Sequence, residues 1–400
     1  MNTKLLIGFL LLVMCGCSKS EYTLIKDPAY LRVFNNLNYI LAMSEKDNKV
    51  PFLCMIINPI LDATGMPIGG EVVENFLDKR DPYAPPYPSQ IGNSTSVNNP
   101  EYPGKRNVLV GPVLNGFDLS SWAQVPAGKL RIMFLYRPRN EVPFFQLEDK
   151  LKRDVLLDTT IDLAAKEVYT LHVLQKDFVT KKVGMVLRQE IFYKMPFSDS
   201  IAYVNFYNYS AKGFWQADNN LKPKDAELRS FRSGIRDDMN IYLTLFKDQE
   251  VPATTPALEN YRSQYLGRLQ RDSGSNQVSP YYSFPLWADV KADGIRTNIW
   301  ERFEFVVPGI DVNNNPYNSP GNGTSQTFGN FAAVNCLLDG RPNVAGISYK
   351  NNGLNLPNLL VNIHSGIYNP RTFATVSTIE VVNGRAYLTT IQRKYAAPVY

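Results

Sequence analysis

Ser200-Ile201-Ala202-Tyr203-Val204-Asn205-Phe206-Tyr207-Asn208-Tyr209-Ser210 echoes Pro28-Ala29-Tyr30-Leu31-Arg32-Val33-Phe34-Asn35-Asn36. Both runs place Ala-Tyr-aliphatic-X-(Val/Phe) ahead of an Asn-containing turn. Aromatic and β-branched residues suit a pleated surface, so each run predicts a strand. Outward from the first copy, residues 51–58 form a continuous apolar stretch, the pattern of a strand buried on both faces. Residues 129–136 read as another strand, launched by Val125-Pro126-Ala127-Gly128. Residues 156–163 and 167–174 read as a hairpin around Ala164-Ala165-Lys166, with a further strand at 183–192.

The second copy continues with strands at 240–246 and 300–307. Val307-Pro308-Gly309 parallels the earlier Val-Pro-Ala-Gly, and residues 378–391 parallel 160–173. Asn383-Gly384 is a two-residue hairpin signal, because both residues accept φ > 0. Two long insertions, 81–104 and 311–330, are rich in Pro, Gly, Ser and Asn and predict loops. Residues 255–271 predict a helix. Thr255 is placed to cap it, Pro256 suits its first turn, and Leu258, Tyr261, Tyr265, Leu266 and Leu269 form one stripe. The expected architecture is all-β: two tandem β-sandwich modules, 28–195 and 196–400, with long loop insertions and a short helix in the second.

The N-terminus carries an address. Lys4 precedes an apolar run over residues 5–14, of signal-peptide length and too short for an ordinary span. Met14-Cys15-Gly16-Cys17 then resembles a bacterial lipoprotein processing site, which predicts a signal over 1–16, lipid on Cys17 and a tether over 17–27. Removing that signal takes Lys4 with it and lowers the formal charge of +5 by one. No long Lys/Arg run is present, which argues against nucleic acid as a partner. Cys54 and Cys336 then remain, both in apolar settings. They read as buried thiols, with a disulfide between them the alternative.

The 400 residues are 44% hydrophobic and 20% charged, ordinary values for a globular chain. Two His leave little room for a multi-His metal centre. His172 and His364 both lie in or beside apparent strands. No phosphate-binding Gly loop, Cys-x-x-Cys pair or His-Glu-x-x-His motif occurs. Asp311-Val312-Asn313-Asn314-Asn315 lacks the Gly and Glu of a Ca²⁺ loop. No metal or cofactor is therefore expected. Glu71, Glu74, Asp237 and Asp238 are carboxylates available for glycoside hydrolysis, but no acid/base pair is legible, so an enzyme is not expected.

The strand starts at 29–35 and 202–208, Val125-Pro126-Ala127-Gly128, Leu157-Asp158-Thr159-Thr160 with Glu167-Val168-Tyr169-Thr170-Leu171, and Ala386-Tyr387-Leu388-Thr389-Thr390 carry a resemblance. The chain is similar to Bacteroidota cell-envelope lipoproteins with tandem β-sandwich domains of a family without a defined function. That resemblance implies an immunoglobulin-like sandwich in the cell envelope and transfers no catalytic residue. It places the chain at the outer membrane, on its periplasmic or cell-surface face. Asp199-Ser200-Ile201 and Asp158-Thr159-Thr160 match the short O-glycosylation pattern of that bacterial group, making Ser200 and Thr159 candidate acceptors. Trp215, Tyr83 and Tyr87 are the expected ligand contacts, since exposed aromatics stack on sugar rings. The expected function is a non-enzymatic, lipid-anchored protein that binds or assembles with glycans or envelope proteins. The alternative is a carbohydrate-active hydrolase.

Overall fold

A computed structural model describes residues 24–37, 50–80, 87, 109–140, 142–198, 201–222, 236–247, 259–285, 287–290, 296–306, 308–309, 331–333, 337–338, 341–342, 359–362, 374–383 and 385–393. Among them the regular structure is β-strand with short 3₁₀ turns, and the fold is all-β and sandwich-like. The first ten strands are β1 (Ala29–Asn35), β2 (Leu53–Leu61), β3 (Pro67–Leu77), β4 (Val113–Leu114), β5 (Phe117–Asp118), β6 (Ala123–Val125), β7 (Gly128–Tyr136), β8 (Val155–Leu163), β9 (Val168–Gln175) and β10 (Val183–Glu190). The remainder are β11 (Ile201–Asn208), β12 (Asp238–Lys247), β13 (Gln264–Gln270), β14 (Tyr282–Pro285), β15 (Trp287–Val290), β16 (Arg296–Val306), β17 (Phe331–Ala333), β18 (Leu337–Leu338), β19 (Arg341–Pro342), β20 (Leu359–Asn362), β21 (Thr375–Val382) and β22 (Arg385–Gln392).

The same pairing order occurs twice. In one inner sheet β1 lies parallel to β9 and antiparallel to β6, and β9 continues to β10. In the other, β11 lies parallel to β21 and antiparallel to β14, and β21 continues to β22. Even the register recurs: Tyr30 faces Val168, and Tyr203 faces Val376. The outer sheets repeat as well. β2 lies between β3 and β7 with β8 beyond, and β12 lies between β13 and β16 with β20 beyond. Among the described residues no named sheet mixes strands from β1–β10 with strands from β11–β22.

Each inner sheet presents one face to its own outer sheet. Leu31, Val33, Leu171 and Val173 pack on Leu53, Met55, Ile57, Ile132 and Phe134. Val204, Phe206, Ile379 and Val381 pack on Met239, Ile241, Leu243, Phe303 and Phe305. Burying each such large side chain stabilises by roughly 1.5–3 kcal/mol. The other faces of the two inner sheets meet each other. Tyr30, Val168 and Phe192 share a cluster with Ala374 and Val376, and Leu174 and Val186 share one with Tyr207, Tyr209, Val382 and Tyr387. The inner strands are thus buried on both sides.

Several expectations need correction. The helix over 255–271 is not formed where the structure describes it: Glu259–Tyr261 is a 3₁₀ turn and Gln264–Gln270 is strand. Gly267 explains the preference. Gly costs a helix about 1 kcal/mol, and here it admits the Tyr282 hydroxyl, which would lie 2.4 Å from an added Cβ. Leu269 then points inward while Arg268 pairs with Asp238 outside, a two-residue period.

The hairpin expected around Ala164-Ala165-Lys166 is instead a crossing between sheets. β8 pairs with β7 in the outer sheet, and β9 pairs with β1 and β10 in the inner one. β8 alternates exposed and covered residues, as an edge strand does, whereas β9 is buried from Val168 to Leu174 and requires a central position. Two parallels used to align the copies are also displaced. Residues 378–391 belong to β21 and β22, which occupy the places of β9 and β10 rather than of β8 and β9. Val125-Pro126-Ala127-Gly128 joins β6 to β7, while Val307-Pro308-Gly309 follows β16, the counterpart of β7. The Asn383 turn is a tight hairpin: Val382 faces Arg385, and Asn383 sits at φ +48°.

Candidate functional site

Among the described residues the chemically richest place is the seam between the two inner sheets. On β1, β9 and β10 the seam-facing residues run across the strands in rows: Arg32, Thr170 and Arg188 form one, and Phe34, His172 and Val186 the next. Glu380 of β21 meets them from the other side. Its Oε1 accepts from Arg188 Nη1 at 2.9 Å and lies 3.2 Å from His172 Nε2, and its Oε2 accepts from Arg80 Nη1. A single carboxylate therefore joins three segments of the N-terminal half, and its side chain is fully buried.

Arg188 is held from every direction. Nε and Nη2 donate to Glu190 Oε1 at 3.1 and 2.9 Å, and Nη1 also donates to Tyr209 Oη at 2.9 Å. Its guanidinium lies 4.2 Å from the Tyr207 ring centre. Arg80 sits between Phe34 and Tyr387, 3.8 and 4.4 Å from their ring centres. His172 stacks on Phe34 and places Nδ1 2.9 Å from Asn36 Oδ1.

Burial pushes the His172 imidazole down to about pKa 4 against the pull of Glu380, so the ring is neutral at pH 7. A neutral ring with its proton on Nε2 turns it toward Glu380 Oε1, which lies 3.2 Å away but outside hydrogen-bonding geometry. Turning the Asn36 amide then offers its Nδ2, which has no other partner, to Nδ1. Burial alone would raise Glu380, but contact with His172, Arg80 and Arg188 overrides this and holds it well below the carboxylate range. Burial likewise pushes the Tyr207 and Tyr209 hydroxyls above their ordinary range. Such a network costs several kcal/mol of desolvation per ion and confers orientation more than net stability.

The residues expected to form a ligand site do not come together here. Tyr87 is 2% exposed and bridges Val33 backbone to backbone, extending the edge of β1. It is a core residue, which corrects its expected role as a surface sugar contact. Trp215 follows β11, is half-buried, and stands edge-on to Phe214 at 5.0 Å. Lys222 and Arg236 lie 5.8 and 5.5 Å from its ring centre. Thr159 is half-buried within β8, opposite Ile132, and the neighbouring Asp158 is engaged bidentately by Arg131. Tyr83, Ser200, Cys17, His364 and Cys336 lie outside the described residues.

Cys54 is a buried thiol of β2. Of the four carboxylates considered for hydrolysis, Glu71 accepts from Asn58, Asp237 from Gln216 and Asp238 from Arg268, while Glu74 is buried. Among the described residues no group of three His, Cys, Asp or Glu is placed to hold a metal ion, and no helix is long and apolar enough to cross a membrane.

Sequence reading missed the seam, although a signal was present. Arg32, Arg188, Glu190 and Glu380 each stand inside an otherwise strand-like run, where they read as outward-facing polar positions. All are buried.

No family model and no curated protein matches the chain. Among solved structures, a "putative cell adhesion protein" from Parabacteroides distasonis is similar at 9% identity and TM-score 0.18, over 94% of this chain and 99% of that one. A second, from Bacteroides fragilis and described in the same words, is similar at 10% identity and TM-score 0.16, over 93% and 100%. TM-scores at this level carry no argument about fold or function.

Proposed function

We propose that the chain is a non-enzymatic, lipid-anchored envelope protein of a Bacteroidota type. It is held at Cys17 and presents two β-sandwich modules, 28–195 and 196–400, for assembly with envelope proteins or for glycan binding. The observation that carries this reading is the seam. Apart from Arg32, its ionisable groups, including His172, are buried and engaged with one another, joining the inner sheets. That arrangement suits a stiff scaffold whose contacts are made by its loops. The burial of Tyr87 weakens the sugar version relative to the protein-partner version.

Lipid anchoring supplies the location in this reading. Metabolic labelling with a fatty-acid analogue tests it: the native chain incorporates label and sediments with membranes, and Cys17→Ser does neither. Equal labelling and sedimentation of the two would contradict the anchor. A glycan array and chemical crosslinking in intact envelope then separate the partners. Crosslinks to a defined envelope protein with no array signal favour assembly, and a reproducible sugar signal favours glycan binding.

A further inference from the structure

We infer that Arg32 and Trp122 form a binding site for one monovalent anion of halide size beside the seam. Arg32 is about nine-tenths buried, yet among the described residues its only hydrogen bond is from Nη2 to Thr170 Oγ1 at 3.3 Å. Its Nε is buried with no hydrogen-bond partner, and so is the indole Nε1 of Trp122, a residue only 2% exposed. The two groups adjoin: the guanidinium carbon lies 4.0 Å from the Trp122 ring centre and 5.0 Å from that of Phe34. Two unsatisfied buried N–H donors on neighbouring side chains, one of them cationic, call for an acceptor.

The charge balance points the same way. The ionised groups felt most strongly at Arg32 are Glu190, Glu380, Arg188 and Arg80. Each carboxylate is already engaged by Arg188 or Arg80, and His172 beside them is neutral. Among these groups three guanidiniums stand against two carboxylates, and Arg32 is the one that forms no ion pair among the described residues. A buried, uncompensated charge is costly, and an anion at Arg32 removes the excess. Burial lowers the Arg32 pKa to about 10, the direction expected for an unmatched cation. The aromatic walls favour a small, weakly hydrated anion.

Bromide is the probe. Crystals of the unaltered protein grown in sodium bromide should show an anomalous peak within hydrogen-bonding reach of Arg32 Nε and Trp122 Nε1. A site holding only water, or nothing, overturns the proposal. In solution, thermal unfolding is compared in sodium chloride and sodium gluconate at equal ionic strength. The native chain should gain about 1–3 °C in chloride. Arg32→Met should lose that difference, and Trp122→Phe, which keeps the ring and removes the indole donor, should reduce it. Arg131→Met, at the exposed Asp158 pair, should keep it. An equal chloride gain in all four proteins contradicts the site. The bromide measurement needs no variant, so a poorly folded Arg32 variant does not remove the test.

Discussion

The two faces of β9 are equally buried and chemically opposite. Tyr169, Leu171 and Val173 enter an apolar core against the outer sheet. Thr170 and His172, which alternate with these, enter the ionic seam against β21. Burial alone does not distinguish them, because every residue from Val168 to Leu174 is covered. The apolar face derives its stability from area removed from water and tolerates approximate partners. The polar face tolerates none, because removing one member leaves a charge stranded in a medium that cannot solvate it.

The sharpest way to break this comparison is to remove one member of the polar side. Glu380→Ala leaves Arg80 and Arg188 without their shared carboxylate and should cost about 4 kcal/mol in denaturant unfolding. Leu171→Ala on the opposite face should cost about 3 kcal/mol through lost transfer energy and a cavity. A smaller loss for Glu380→Ala than for an exposed pair would remove the seam from the account.

Of the two faces of β9, acid should act on the polar one. The unfolded chain takes up a proton at His172 near pH 6.5, and the folded chain resists until about pH 4. Stability is therefore lost as pH falls from 6.5 toward 4, by roughly 3 kcal/mol. Glu380, held below its ordinary range, adds a loss of the same sign as pH falls. His172→Gln should flatten the fall between pH 6.5 and 4, read from unfolding midpoints at several pH values, whereas Leu171→Ala should leave its slope unchanged. The smallest effect belongs to the surface. Asp158→Ala breaks a partly exposed pair with Arg131 and should cost at most about 1 kcal/mol.

Much of the β pattern was legible in the chain because it is local. The Ala-Tyr strand starts announce β1 and β11, and Asn383-Gly384 announces the β21–β22 turn through its backbone preferences. Partner choice was not legible. Whether β8 turns back onto β9 or crosses to another sheet depends on which surfaces remain to be covered, and that is a property of the assembled layers. The 264–270 segment was misread because an aromatic-aliphatic stripe satisfies both periods over a short window, and Gly267 decided between them only through its contact with Tyr282. The seam was hidden because its members are distant in sequence. Arg80 and Glu380 are 300 residues apart, and the strand pattern gives no sign that an alternating polar position faces another sheet rather than water.

A carboxylate in the C-terminal half, Glu380, holds strands of the N-terminal half in place. Hydrogen exchange followed by mass spectrometry tests it directly, comparing the native chain with Glu380→Gln at pH 7. Faster exchange is expected in peptides covering β9 and β10 as well as in β21. A change confined to β21 and β22, with β9 and β10 as protected as before, would contradict it.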